Sequence, residues 1–345
     1  MSRVPASPGP PRAPTDPTAG ARPSGDGPRP DPPRPARTEP ERPRRDSAHP
    51  RITPEETRLL QELILEHCGV SLGADAGFLF ERRLAPRLDA LSLRTYLEYY
   101  HHLCYDLGAA DELEEFVERI TTHETYFFRE QFQLDAFRRE IVPTLLRGRK
   151  HSEPLVVWSA GCSTGEEAYT IAMVLAEAAP ERATHVVGTD ISPKVLATAT
   201  QAVYGAASFR TTADAVRDRY FDPLPPAPGQ PASQWRVVPP IRRMCSFVRL
   251  NLMDVAQYPR PGGASPWPPG GASARPAGAR FAAIFCRNVL MYLSGQARHR
   301  IVEGFFDALM PGGYLLLGHS ESLLHVTTRF DLAHLQSDLV YRRPL

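Results

Sequence analysis

Lysine is almost missing from this 345-residue chain: Lys150 and Lys194 stand against 38 arginines. Basic and acidic residues nearly cancel, 40 against 39, so net charge implies no surface built to track a phosphate backbone. Arginine in place of lysine, in a chain also heavy in alanine, proline and glycine, reads as compositional bias, and no nucleic-acid partner is expected. No apolar run approaches the roughly 18 residues of a membrane span. The opening MSRVPASPGPPR has no apolar segment of a secretory leader, so the expectation is a soluble, cytoplasmic protein with no membrane insertion. The five cysteines are odd in number and widely spaced, with no C-x-x-C pair, which excludes a disulfide framework and a zinc site; no metal is expected. The dinucleotide fingerprint G-x-G-x-x-G is absent as well.

Proline, by contrast, is abundant and unevenly placed. Residues 1–50 hold 15 of the 36 prolines and 9 arginines, with almost no large apolar side chain. Such a segment cannot bury enough apolar surface to offset its ordering entropy, so 1–50 reads as a disordered tail. Without it the chain carries 31 basic and 33 acidic residues, a net −2. At roughly 100–200 residues per domain, the remainder is long enough for two.

From 51 to 137 the pattern is helical. Thr53, Pro54 and Glu56 form a capping signal, and Leu59, Leu60, Leu63 and Ile64 then recur at helical spacing. Further helical periods cover 78–91, 95–105 and 111–120. After residue 150 the period changes. LVVWSA at 155–160 is a continuous apolar run suited to a strand covered on both faces. A glycine turn, a helix over 166–179 and a second strand over 185–189 complete a βαβ unit. Strand signatures return at 281–286 and 314–317, separated by a helix over 294–310. Residues 138–345 are therefore expected to form an α/β domain with a mainly parallel sheet. Within it, 222–250 reads as a small antiparallel insertion, and 259–280, half proline and glycine, as a flexible loop.

The first strand opens into SAGCSTGEE at 159–167. Glycine at the strand end lets backbone approach a ligand, yet the helix starts with Glu166 and Glu167 where a pyrophosphate would need bare N–H groups. Asp190 ends the second strand, where an α/β nucleotide site places a carboxylate on ribose hydroxyls. Ribose plus positive charge without phosphate describes S-adenosylmethionine. The alternative reading is that Glu166 and Glu167 merely favour the helix dipole and that Asp190 caps the next helix.

Two more segments carry polar residues at places where ligands sit: TTHETYFFR at 121–129, joining the domains, and FCRNVLMY at 285–292, ending a buried strand. Together with VWSAGCSTGEE at 157–167 and GHSES at 318–322, they resemble the CheR family of chemotaxis receptor glutamate O-methyltransferases over about 52–342. The resemblance implies a Rossmann-like class I methyltransferase domain behind a helical N-terminal domain, with S-adenosylmethionine as cofactor and S-adenosylhomocysteine as product. It implies methyl transfer to receptor glutamates, a chemoreceptor cytoplasmic domain as partner, recruitment to receptor arrays, and a monomer. Carried over by position, His123, Thr125, Arg129, Glu167, Asp190, Asn251, Leu252, Arg287 and Asn288 would line the cofactor site, and Arg129 and Tyr292 would flank the transferred methyl.

The chain departs from the family at His123, where asparagine is common, and in FERRLAPRLD at 80–89, which corresponds to a strongly basic receptor-facing helix. Arg82, Arg83 and Arg87 remain there as docking candidates, but Pro86 costs a helix interior about 3 kcal/mol, so a break or a late start is expected. Intact Arg129, Glu167, Asp190 and Tyr292 favour an active enzyme over a cofactor-binding scaffold without turnover. FCRNVLMY differs from the Asn-Pro-Pro-aromatic motif of base amino-group methylation, which disfavours a nucleic-acid or small-molecule methyltransferase.

Overall fold

Helices come first in the computed structural model, which describes residues 50–147, 149–225, 234–258, 280–336 and 338–345. The expected tail at 1–50 (except Pro50), the loop at 259–280 (except Arg280) and the centre of the insertion lie outside the described residues. Helices α1 (Pro54–Cys68), α2 (Ala76–Leu91), α3 (Tyr96–Tyr105) and α4 (Ala109–Ile120) pack around Leu60, Phe80, Leu84, Leu88, Tyr99 and Phe116. The Thr53 hydroxyl accepts from the Glu56 N–H while the Glu56 carboxylate accepts from the Thr53 N–H, the reciprocal cap expected at α1.

Pro86 does not break α2, which runs unbroken through it. The ring sits on the exposed face, while Phe80, Leu84 and Leu88 bury the opposite face. Tertiary burial thus outweighs the local cost of proline. Restoring the missing hydrogen bond with Pro86→Ala is expected to stabilise the protein by about 1–3 kcal/mol, read as a higher midpoint in urea; an unchanged or lower midpoint would show that α2 gains nothing from a regular backbone there.

Beyond α4, helix α5 (Gln131–Ala136) passes through a π-helical turn (Phe137–Ile141) into α6 (Val142–Leu146). The division expected at 137/138 falls inside this helix. Phe137 stands edge-on to Phe285 of the sheet at 5.0 Å, so the whole segment packs with the α/β layer.

The α/β layer continues with β1 (Leu155–Ala160), α7 (Glu166–Ala178), β2 (Thr184–Asp190), α8 (Pro193–Gln201), β3 (Val203–Gly205), α9 (Asp214–Tyr220), β4 (Phe221–Leu224), β5 (Gln234–Val237), α10 (Pro239–Arg242), β6 (Cys245–Arg249), β7 (Phe281–Cys286), α11 (Gly295–Ala308), β8 (Leu309–Leu317), β9 (Asp331–His334) and β10 (Leu339–Arg342). The main sheet has seven strands in the order β6-β2-β1-β7-β8-β10-β9, parallel except for β10, which runs antiparallel to both of its neighbours, β8 and β9. Alternate residues of β1 serve opposite faces: Leu155 and Val157 join one core, Val156, Trp158 and Ala160 the other. This explains the unbroken apolar run.

The insertion does not coincide with the expected 222–250: it begins at Val203 and ends at Val237. Strands β3, β5 and β4 form the antiparallel sheet, whereas 245–249 pairs in parallel with β2 and belongs to the main sheet. The chain order reverses across β1, which has β2 on one side and β7 on the other. Ligands of open α/β sheets bind beyond the strand ends at such a switch point.

Candidate active site

Strand β1 ends in a turn that only glycine fits. Gly161 has φ +81°, and a Cβ there would lie 2.5 Å from Val289 Cγ2. The Gly161 and Cys162 N–H groups both donate to the Thr189 carbonyl at 2.8 Å, folding the turn against the end of β2. Ser163, itself at φ 49°, then donates its N–H to Asp190 Oδ2 at 2.9 Å, and the Ser192 N–H donates to Oδ1 at 3.0 Å. Burial pushes the Asp190 carboxyl up from its usual range, opposed by these two N–H groups. The cap of α8 is Ser192, whose hydroxyl accepts from the Val195 N–H. Asp190 is therefore not that helix's cap, and it lines the cleft.

The two glutamates opening α7 diverge. Glu166 is buried away from the cleft, accepting from Thr164 Oγ1 at 2.6 Å and Ser208 Oγ at 2.9 Å, and burial raises its pKa. Glu167 lines the cleft. It accepts from Ser159 Oγ and from Arg287 Nε, each at 2.7 Å. Arg287, with a side chain only 2% exposed, also donates to the Arg129 carbonyl at 2.8 Å and lies 3.7 Å from Glu130. A buried cation held by two carboxylates thus ties the ends of β1 and β7 to the segment bearing Arg129.

After β7 the chain turns at Asn288 with φ 58°. Glu321, from GHSES, holds this turn: its Oε2 accepts from the N–H groups of Asn288 at 2.7 Å and Gly318 at 2.8 Å, and its Oε1 from Met291 at 3.1 Å. The motif was visible in the sequence, but not this role. Tyr292 follows, 44% exposed. Its carbonyl accepts from the Ser71 N–H at 2.9 Å beside a Val70–Leu293 bridge, so the segment after α1 fixes Tyr292 from the helical side.

The helical region supplies the other wall. Arg83 Nη1 donates to the carbonyls of Arg119, Ile120 and Thr121 at 2.9, 3.0 and 3.0 Å, capping α4 where it leads into 121–129. His123 Nε2 lies 2.9 Å from Thr121 Oγ1 and 3.7 Å from Glu118, and its carbonyl accepts from Ser163 Oγ at 3.0 Å. Arg129 donates to the Glu124 carbonyl at 3.1 Å. Asn251 donates to the His67 carbonyl at 2.7 Å, next to Leu252.

All ten residues expected at the cofactor and methyl sites line one cleft of about 290 Å³: His123, Thr125, Arg129, Glu167, Asp190, Asn251, Leu252, Arg287, Asn288 and Tyr292. The three docking candidates on α2 separate. Arg83 lines the cleft as the α4 cap, Arg87 is held by Glu112 through Nε at 2.8 and 3.0 Å, and Arg82 is exposed. Cys68, Val70, Leu72 and Leu79 also line the cleft and were not anticipated. Among the described residues no His, Cys, Asp and Glu cluster could hold a metal ion, and no helix is long and apolar enough to cross a membrane.

The family model described as CheR methyltransferase, SAM binding domain matches residues 123–262 and 272–339, and the model of the all-alpha domain matches 55–121. A chemotaxis protein methyltransferase of Borreliella burgdorferi is 30% identical, over 79% of this chain and 89% of the relative. Chemotaxis protein methyltransferase 2 of Pseudomonas aeruginosa is 31% identical over 80% and 89%. The protein of the same name from Vibrio cholerae is 26% identical over 85% and 94%.

Proposed function

Because the chain belongs to the CheR methyltransferase family and is an S-adenosylmethionine-dependent methyltransferase, we propose that it methylates glutamate γ-carboxylates in the cytoplasmic domain of a chemoreceptor. Chemosensory adaptation in the cytoplasm is the corresponding role. The observation that carries this reading is the convergence of three separate motifs, 121–129, 157–167 and 285–292, on one cleft with Arg129 and Tyr292 in its lining.

The residues present suit the cofactor. Asp190 offers carboxylate lone pairs for a ribose diol, Ile191 and Leu252 offer apolar wall for a base, and the buried Oδ1 of Asn288 has no partner among the described residues. Glu124, Glu167 and Asp190 balance Arg83, Arg129 and Arg287 in the lining, so the cleft has no cationic excess of the kind a phosphate would need. When bound, the cofactor supplies an electrophilic methyl group on positive sulfur.

The chain's own task is then orientation. A glutamate is already ionised at neutral pH, so no general base is required, and holding the reacting groups in line is most of the catalysis. Arg129 orients the incoming carboxylate from the lip of the cleft. Arg287, bonded to the Arg129 carbonyl, holds that segment in place, and Tyr292 steers the approach from the opposite wall. His123 and Thr125 shape the cofactor side.

Labelled S-adenosylmethionine incubated with chemoreceptor-containing membranes is expected to leave base-labile label on receptor glutamates. Arg129→Ala is expected to lower kcat/KM at least about 100-fold. Cofactor binding without label on the receptor would replace this reading by that of a silent scaffold.

A further inference from the structure

The glutamate acceptor proposed above lacks an obvious docking surface, because Arg83 and Arg87 on α2 are engaged within the protein. A second pair of cations stands at the cleft itself. Arg210 Nη2 lies 2.7 Å from Glu124 Oε1, with side chains 41% and 67% exposed. Its guanidinium lies 3.8 Å from the centre of the Tyr126 ring, and that of Arg129 lies 5.6 Å from the same ring. The backbone beneath is fixed: the Phe127 N–H donates to the Ser208 carbonyl, and the Thr211 hydroxyl donates to the Phe127 carbonyl. Glu124 lines the cleft, whereas Arg210 does not.

We propose that Glu124 and Arg210 form a carboxylate-exchange site at the lip of the cleft, in which an acidic residue of the acceptor protein displaces Glu124 from Arg210. This rests on the glutamate-methylating function. An exposed ion pair is held weakly, by a factor of no more than about five, so an incoming carboxylate can replace it. Tyr126 keeps the Arg210 guanidinium in place when Glu124 swings out, through its ring face. Arg129 on the same ring then meets the neighbouring carboxylate, the one to be methylated. Glu124 thereby lowers the affinity for every acidic acceptor by the same modest factor.

Opposite signs test the idea. In steady-state transfer to receptor membranes at low salt, Arg210→Ala is expected to raise the receptor KM about three- to fivefold. Glu124→Gln is expected to lower it about two- to threefold. In both, kcat is expected to stay within about twofold, and the double variant to behave as Arg210→Ala alone. Near 0.5 M salt, where the screening length falls to about 4 Å, the differences should shrink. If Glu124→Gln raises the receptor KM as Arg210→Ala does, the pair is only a structural clamp and the proposal fails. If neither moves it while the wild type transfers methyl groups, the proposal fails and the function stands. No transfer by cofactor-bound wild type would overturn both.

Discussion

Arg287→Met is expected to destabilise the protein by about 3–5 kcal/mol and to abolish transfer. The side chain is 2% exposed, and the carboxylates around it, Glu167 and Glu130, are 11% and 7% exposed. Removing the cation leaves both in a site with little water, and an uncompensated buried charge costs far more than the pair contributes when intact. Arg287→Lys is expected to recover only part of the loss. An ammonium is a point charge and cannot serve Glu167 through Nε and the Arg129 carbonyl through Nη1 at once. Urea midpoints measure this directly. The pairwise origin is checked with Arg287→Met/Glu167→Gln, which should be more stable than Arg287→Met alone; a further loss would assign the effect to packing instead of charge.

The second large effect separates binding from folding. Asp190→Asn is expected to weaken S-adenosylmethionine binding at least about 100-fold, as the loss of charge-assisted hydrogen bonds worth about 1.5–3 kcal/mol each. Its folding stability at pH 7 is expected to change much less. Burial raises the Asp190 carboxyl in the folded state. A group with a raised folded pKa contributes stability at pH below its unfolded value and loses that contribution as pH rises through its folded value. At neutral pH the ionised Asp190 therefore works against folding, and an amide removes that penalty while losing one of two N–H acceptors. The same shift predicts that cofactor affinity falls on acidification sooner than it would for an ordinary aspartate, because protonation removes the acceptor. Calorimetric titration of both proteins between pH 5 and 8 checks this; an unaltered isotherm for Asp190→Asn would remove Asp190 from the site.

The stability of Asp190→Asn and the fragility of Arg287→Met express the same geometry. One carboxylate is held ready for a ligand by two backbone N–H groups. The other two are engaged by Arg287 within the chain. Sequence spacing shows no such distinction, since all three lie at or near the end of a strand or the start of a helix.

Local pattern was enough for much of the rest. The apolar run at 155–160, the turn after it and the carboxylate ending the next strand place a parallel sheet and its ligand edge, because two-sided burial and tight turns leave marks within a few residues. The helix caps at Thr53 and the amphipathic periods of α1 to α4 are legible for the same reason. Three of the motifs also named seven of the ten expected residues that share one cleft.

What tertiary structure decided involves partners far apart in the chain. Arg287 meets Glu167 across 120 positions and Arg83 meets the end of α4 across 36 or more, so a run of arginines in α2 read as a docking face is in part a helix cap and an internal ion pair. Strands β9 and β10 are short and half exposed, with no apolar run to announce them; β10 forms by pairing with β8, and β9 by pairing with β10. The strand at 245–249 joins β2 instead of the insertion because parallel pairing is set by a neighbour 55 or more residues away. Pro86 stays in α2 because burial of the opposite face outweighs a local penalty. The sequence by itself determined which elements form and which residues carry chemistry, since those depend on local periodicity and side-chain type. Which charges are consumed inside the fold and which remain for a ligand was decided only by three-dimensional proximity.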